Sequence, residues 1–79
     1  MKYVYILQSL QYADRYYVGS TTNVEERLQR HNASEVPHTS KYKPWRVNTY
    51  MCFTNADRAN SFEKYLKSGS GRAFAKNRL

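Results

Sequence analysis

Two short runs of aromatic and β-branched residues, Lys2–Ser9 and Arg15–Ser20, are separated by only the five residues Leu10–Asp14. This spacing constrains the fold more than any other feature of the chain. Two strands so close in sequence can pair only as an antiparallel hairpin, because a parallel return needs a crossover of about a dozen residues or more. In the first run Tyr3, Tyr5 and Leu7 alternate with Val4 and Ile6, so both faces of that strand are expected to be at least partly covered. The second run contains Gly19. A glycine there weakens a strand interior and marks a close approach by another backbone or a ligand.

After the hairpin the periodicity changes. Thr22-x-x-Glu25 has the form of a capping box and predicts a helix beginning near Asn23. Val24 and Leu28 form its apolar stripe, with Arg27 and His31 four apart on a neighbouring face. Residues 33–44 contain Pro37, Pro44, Ser34, Thr39 and Ser40 without any period and read as a loop, long enough that a functional role is expected. Trp45–Phe53 returns to strand alternation, with Val47, Thr49, Met51 and Phe53 on one side. Thr54-x-x-Asp57 resembles a second helix start, and Ala59, Phe62 and Leu66 recur at core-facing spacing. Ser68-Gly69-Ser70-Gly71 is expected to end that helix, with Gly69 as its C-cap, and Arg72–Leu79 to form a last short helix that docks Phe74 on the core. The expectation is one α+β domain over residues 1–79, a three-stranded antiparallel sheet flanked by helices.

Composition narrows the function. With 41% hydrophobic and 15% aromatic residues in 79, the chain is too apolar for a disordered segment. A domain this small buries only about 60% of its unfolded surface, so its core is thin. No run approaches the ~18 apolar residues of a membrane span, and the N-terminal apolar run is too short for a signal peptide. One cysteine, Cys52, excludes an internal disulfide, and with two histidines it cannot build a structural zinc site. A reducing cytoplasm is the expected setting. The first 36 residues balance four bases against four acids, whereas residues 37–79 carry nine bases and two acids, Asp57 and Glu63, so the whole net charge of +7 falls there. Such a concentrated positive field favours a polyanion such as nucleic acid.

Tyr3-Val4-Tyr5 and Tyr17-Val18-Gly19 stand on the two strands of the hairpin, followed by Arg27, His31 and the isolated acid Glu63. This set resembles the GIY-YIG nuclease superfamily over essentially the whole chain, and the single-domain form resembles its small stand-alone bacterial members. The resemblance implies that Tyr5 and Tyr17 line the scissile phosphate, with Tyr17 the favoured general base. It implies that Gly19 keeps the strand open beside the substrate, that Arg27 holds the phosphate and that His31 helps orient or deprotonate. It makes Glu63 the only protein ligand of a divalent metal, Mg²⁺ or Mn²⁺. Some members carry a lysine directly after the second triad, where this chain has Ser20, and some an asparagine beyond the glutamate, for which Asn77 is the candidate.

Elementary chemistry agrees. Hydrolysis of a phosphodiester needs a base, neutralisation of the non-bridging oxygens and help for the leaving group. Arg27 offers a planar fork that stays charged. A lone carboxylate suits Mg²⁺, which keeps several waters and shares phosphate oxygens. A tyrosine titrates near pH 10, so Tyr17 as base needs help from Arg27, the metal or a hydrogen bond to His31. Lys41 and Lys43 alternate with Tyr42 and Trp45, a pattern suited to phosphate contact and base stacking, and Lys67 and Arg72 belong to a basic C-terminal face. Each feature also has a plain structural reading: tyrosines favour strands, Trp45 can fill the core, and surface bases can be merely solvated. The expected activity is metal-dependent endonucleolytic hydrolysis, with DNA as partner. A non-catalytic nucleic-acid-binding module on the same fold, and a domain that binds an acidic protein, stand beside it.

Overall fold

The computed structural model describes residues 1–79. Its three strands are β1 (Lys2–Ser9), β2 (Tyr16–Thr21) and β3 (Trp45–Phe53), arranged in the order β2-β1-β3 with both pairings antiparallel. β1 is the centre of the sheet, and four consecutive residues, Val4 to Leu7, are buried. This is the two-sided burial that its uninterrupted apolar run requires. The four helices are α1 (Val24–Asn32), α2 (Pro37–Ser40), α3 (Ala56–Leu66) and α4 (Gly69–Arg78).

The pleat sorts side chains into two cores. On one face Tyr5, Leu7 and Trp45 are packed by Tyr17, Val24, Leu28, Tyr42 and Val47. On the other, Val4, Ile6, Ala59 and Leu66 are packed by Val18, Phe53, Phe62 and Ala75. The sheet is thus sandwiched between α1 with α2 and α3 with α4. β2 is an edge strand, so a ligand at that edge can meet side chains from both layers.

Several expectations change in detail. The helices begin one residue later than the box patterns suggest: Asn23 Oδ1 accepts from Glu26 N, and Asn55 Oδ1 accepts from Asp57 N and Arg58 N. An Asx side chain at N-cap satisfies the free first-turn donors as Thr22 and Thr54 were expected to. The strict alternation of β3 fails because the register slips between Ile6 and Leu7, which pair with Thr49 and Val47 and leave Asn48 as an extra residue. A bulge of this kind moves the following residues to the other face, so Val47 packs in one core and Phe53 in the other. Gly69 does not cap α3. Lys67 closes it in right-handed geometry, and Ser68 Oγ then accepts from Gly71 N to start α4 at Gly69. The α4 backbone passes so close to the end of α3 that a Cβ at Gly71 would lie 1.7 Å from Tyr65 O. Ala75, not Phe74, meets the core; Phe74 is 38% exposed, edge-on to Tyr65.

The 33–44 loop contains α2 and is tied down by buried and part-buried hydrogen bonds. Asn32 clamps the backbone of Trp45, its Oδ1 accepting from Trp45 N at 2.6 Å and its Nδ2 donating to Trp45 O at 3.1 Å. Trp45 Nε1 donates to Thr39 O, and Ser9 Oγ donates to Tyr42 O. The loop is therefore a rigid wall of one core.

Candidate active site

The site begins with a steric fact. Gly19 lies opposite Tyr5 in the β1–β2 register, and a Cβ at Gly19 would come within 2.5 Å of the Tyr5 hydroxyl and 2.6 Å of its Cζ. The missing side chain makes room for the phenol of Tyr5, a close approach made by a side chain where the sequence suggests another backbone or a ligand. The Tyr5 ring therefore crosses the neighbouring strand and delivers its hydroxyl to α1, where it bonds His31 Nε2 at 3.0 Å.

The hydrogen bonds around His31 define its tautomer. Thr39 Oγ1 donates to Val36 O at 3.2 Å, so its oxygen accepts from His31 Nδ1 at 2.8 Å. With the proton on Nδ1, Nε2 is left as acceptor for the Tyr5 hydroxyl. Tyr5, His31 and Thr39 are each no more than 1% exposed. Burial, reinforced by the Arg27 charge, lowers His31 from its ordinary 6.5 to about 4, so the ring is neutral at pH 7. Burial also pushes the Tyr5 phenol up to about 12, although the Arg27 guanidinium beside it works in the opposite direction. Thr39 is a member of the site that sequence reading missed; its signal was a proline-initiated turn, Pro37 at N1 with Val36 before it.

Tyr17 lies on the same face. Its ring centroid is 4.8 Å from that of His31 and 6.4 Å from that of Tyr5. Of the three aids open to Tyr17, the hydrogen bond to His31 is not made, because Tyr5 and Thr39 occupy both imidazole nitrogens. His38 also approaches the Tyr17 ring, at 6.5 Å. Arg27, one turn before His31, supplies the positive charge of the cluster. Its Nε is buried without a hydrogen-bond partner, and neither ion pair of the chain, Arg30–Glu26 or Lys67–Glu63, involves it.

Glu63 belongs to α3, on the opposite face of the sheet, yet it reaches the same edge. Its Oε1 accepts from Ser20 Oγ at 2.7 Å and its Oε2 from Lys67 Nζ at 3.0 Å. Lys67 Nζ is in turn 5.9 Å from the Tyr17 ring centroid, and the Glu63 charge acts on the Tyr5 phenol. Burial alone would raise the Glu63 pKa; the Ser20 hydroxyl and the Lys67 ammonium outweigh it and hold the carboxyl below its ordinary value. Ser20, standing where some family members carry a lysine, donates to this carboxylate and orients it. No three His, Cys, Asp or Glu side chains cluster as a metal cage. A divalent ion here would have one carboxylate and would complete its shell from water and phosphate, a donor set that fits Mg²⁺ or Mn²⁺ and not Zn²⁺.

The other sequence candidates lie outside this cluster. Lys41 stands over the Tyr42 ring at 5.7 Å, Lys43 donates to Ser34 Oγ, and Arg72 and Asn77 are exposed on α4. Asn77 makes no side-chain bond to Glu63; it sits about 12 Å along α4 from Gly69 at 1.5 Å per residue.

The family model of the GIY-YIG catalytic domain matches residues 1–77 of this chain. A search of curated proteins finds no match.

Proposed function

The chain belongs to the GIY-YIG catalytic-domain family, whose activity is nuclease-type, and we propose that it cleaves phosphodiester bonds of DNA as a metal-dependent endonuclease. The observation that carries this reading is Arg27: a guanidinium with a buried, unpartnered Nε, set among two phenols and a neutral imidazole. Leaving such a donor unpaired costs about 1–3 kcal/mol or more, and a phosphate oxygen would relieve that cost with a charge-assisted, fork-shaped contact.

The remaining roles follow from placement and protonation. Tyr17 is half-buried and its hydroxyl has no protein partner, so its oxygen is free to hydrogen-bond the attacking water and, as the phenolate, to take that water's proton. Tyr5 is enclosed, donates to His31 and has its pKa pushed up to about 12. It therefore acts by positioning the cluster rather than as the base or a direct phosphate ligand. His31 keeps a neutral ring against Tyr17 and so adds no second positive charge beside Arg27. Glu63 would hold Mg²⁺ or Mn²⁺, with Ser20 fixing the carboxylate rotamer. When bound, the ion supplies Lewis-acid neutralisation of the phosphate and stabilises the departing oxygen. The basic half of the chain attracts the polyanion before any of these contacts form.

The test is a cleavage panel of labelled single-stranded, duplex and branched DNA, and of RNA, with Mg²⁺ and Mn²⁺. Arg27→Ala, Tyr17→Phe and Glu63→Ala are each expected to abolish cleavage while melting like the wild type. Salt-dependent binding without turnover on every substrate and with either metal would replace this reading with a non-catalytic binding module. The engagement of both Glu63 oxygens by Ser20 and Lys67 is the one observation that favours that module.

A further inference from the structure

Lys67 is the one cation bonded to Glu63. It sits one turn further along α3, its ammonium 3.0 Å from Oε2, and it also faces Tyr17, with Nζ 5.9 Å from the ring centroid. Its side chain is 49% exposed while that of Glu63 is 22% exposed, so the flexible partner is the lysine. The contact on the other oxygen is of a different kind. A Ser20 hydroxyl donates one hydrogen bond and leaves the oxygen's second lone pair free, so it is compatible with a bound ion. An ammonium carries a full charge against the same oxygen and repels a dication.

We infer that Lys67 is a resident counter-ion of the active site, displaced from Glu63 when a divalent metal enters and passed to the phosphodiester that enters with it. The proposal rests on the reading of Glu63 as metal ligand. The four-carbon stem lets the ammonium swing without moving α3, and the lysine already stands against Tyr17, so it remains at the site after leaving the carboxylate. There it meets an anion rather than solvent. The metal frees the cation and the phosphate takes it, so each ligand strengthens the other, as linkage requires of any such coupling. In the absence of both, Lys67 balances the charge of the Glu63 carboxylate.

The test measures Mn²⁺ binding to the full chain without nucleic acid, by the spin-resonance signal of free Mn²⁺, for wild type, Lys67→Met, Lys67→Arg and Glu63→Gln. Lys67→Met is expected to bind Mn²⁺ about twofold to fivefold more tightly than wild type, the upper part of the range that one partly exposed charge pair gives. Lys67→Arg, which keeps the charge, is expected to stay within twofold of wild type, an allowance of roughly 0.4 kcal/mol. A second arm measures binding of a short DNA duplex with and without Ca²⁺. Wild type is expected to bind more tightly with Ca²⁺, and Lys67→Met to show a smaller gain and to lose about 0.9 of the log–log salt slope measured with Ca²⁺, one phosphate contact. If Glu63→Gln abolishes Mn²⁺ binding but Lys67→Met leaves it unchanged or weaker, Lys67 is an ordinary surface partner and the proposal is overturned while the metal reading stands. If Glu63→Gln binds Mn²⁺ as well as wild type, the metal reading fails and the proposal with it.

Discussion

Replacement of Gly19 by alanine tests the packing on which the site is built. The new Cβ would lie 2.5 Å from the Tyr5 hydroxyl and 2.6 Å from Cζ, where non-bonded atoms are at rest near 3.5–4.0 Å. The ring would have to withdraw by roughly 1 Å, and it is 1% exposed with its hydroxyl bonded to His31. Overpacking of this kind costs about 1–3 kcal/mol, and loss of the Tyr5–His31 bond adds about 1 kcal/mol. Reduced freedom of the unfolded chain opposes this by about 0.4–1 kcal/mol. The net loss of about 1–3 kcal/mol corresponds to a fall in Tm of about 5–20 °C for a domain of this length. Thermal denaturation followed by circular dichroism measures it, in the wild-type background and with Tyr5→Leu. In the second background the bulky ring is gone and the cost of Gly19→Ala should largely disappear. If Gly19→Ala melts with the wild type, or if its cost is the same without the Tyr5 ring, the account of why glycine occupies this position is wrong.

Further outcomes follow from the same cluster. Thr39→Val removes the acceptor that keeps the proton of His31 on Nδ1; the imidazole nitrogen shifts in NMR should show the change of tautomer and Thr39→Ser should restore them, whereas unchanged shifts in Thr39→Val would remove Thr39 from the site. Since His31 is lowered from 6.5 to about 4 in the folded chain, the unfolded chain binds the extra proton first. Stability should therefore decline as pH falls from 6.5 towards 4, and a chemical-denaturation series in His31→Gln should be flatter over that window. The phenol of Tyr5, pushed up to about 12, should ionise later than an ordinary tyrosine in an ultraviolet titration, and this late step should vanish in Tyr5→Phe. Arg27→Lys keeps the charge but loses the fork, and cleavage is expected to fall about 100-fold or more; near-normal turnover would show that charge alone suffices.

Much of the architecture was legible because it is written in local periods. The hairpin, α1, β3 and α3 stand where alternation and helical stripes predict them, and the Glu63–Lys67 pair is a simple four-residue spacing on a helix. The errors were local too: a cap one residue late at Asn23 and Asn55, and a glycine at 69 that begins a helix instead of ending one. There two neighbouring residues offered similar local chemistry and the better hydrogen-bond geometry prevailed. α4 begins at Gly69, three residues before the start the sequence predicts, and its close approach to α3 at Gly71 turns Ala75 rather than Phe74 to the core.

What the chain determined by itself is the inventory: that the first two strands form a hairpin, which helices carry Arg27, His31 and Glu63, and where the positive charge is concentrated. The tertiary structure alone decided who touches whom. Tyr5 reaches His31 across 26 residues and Ser20 reaches Glu63 across 43, separations at which no periodicity carries information. Those contacts depend on the bulge in β3, on the void at Gly19 and on β2 lying at the sheet edge, so that groups from opposite faces meet around it. Pairing of this kind is set by how whole layers stack, and only the stacked layers reveal it.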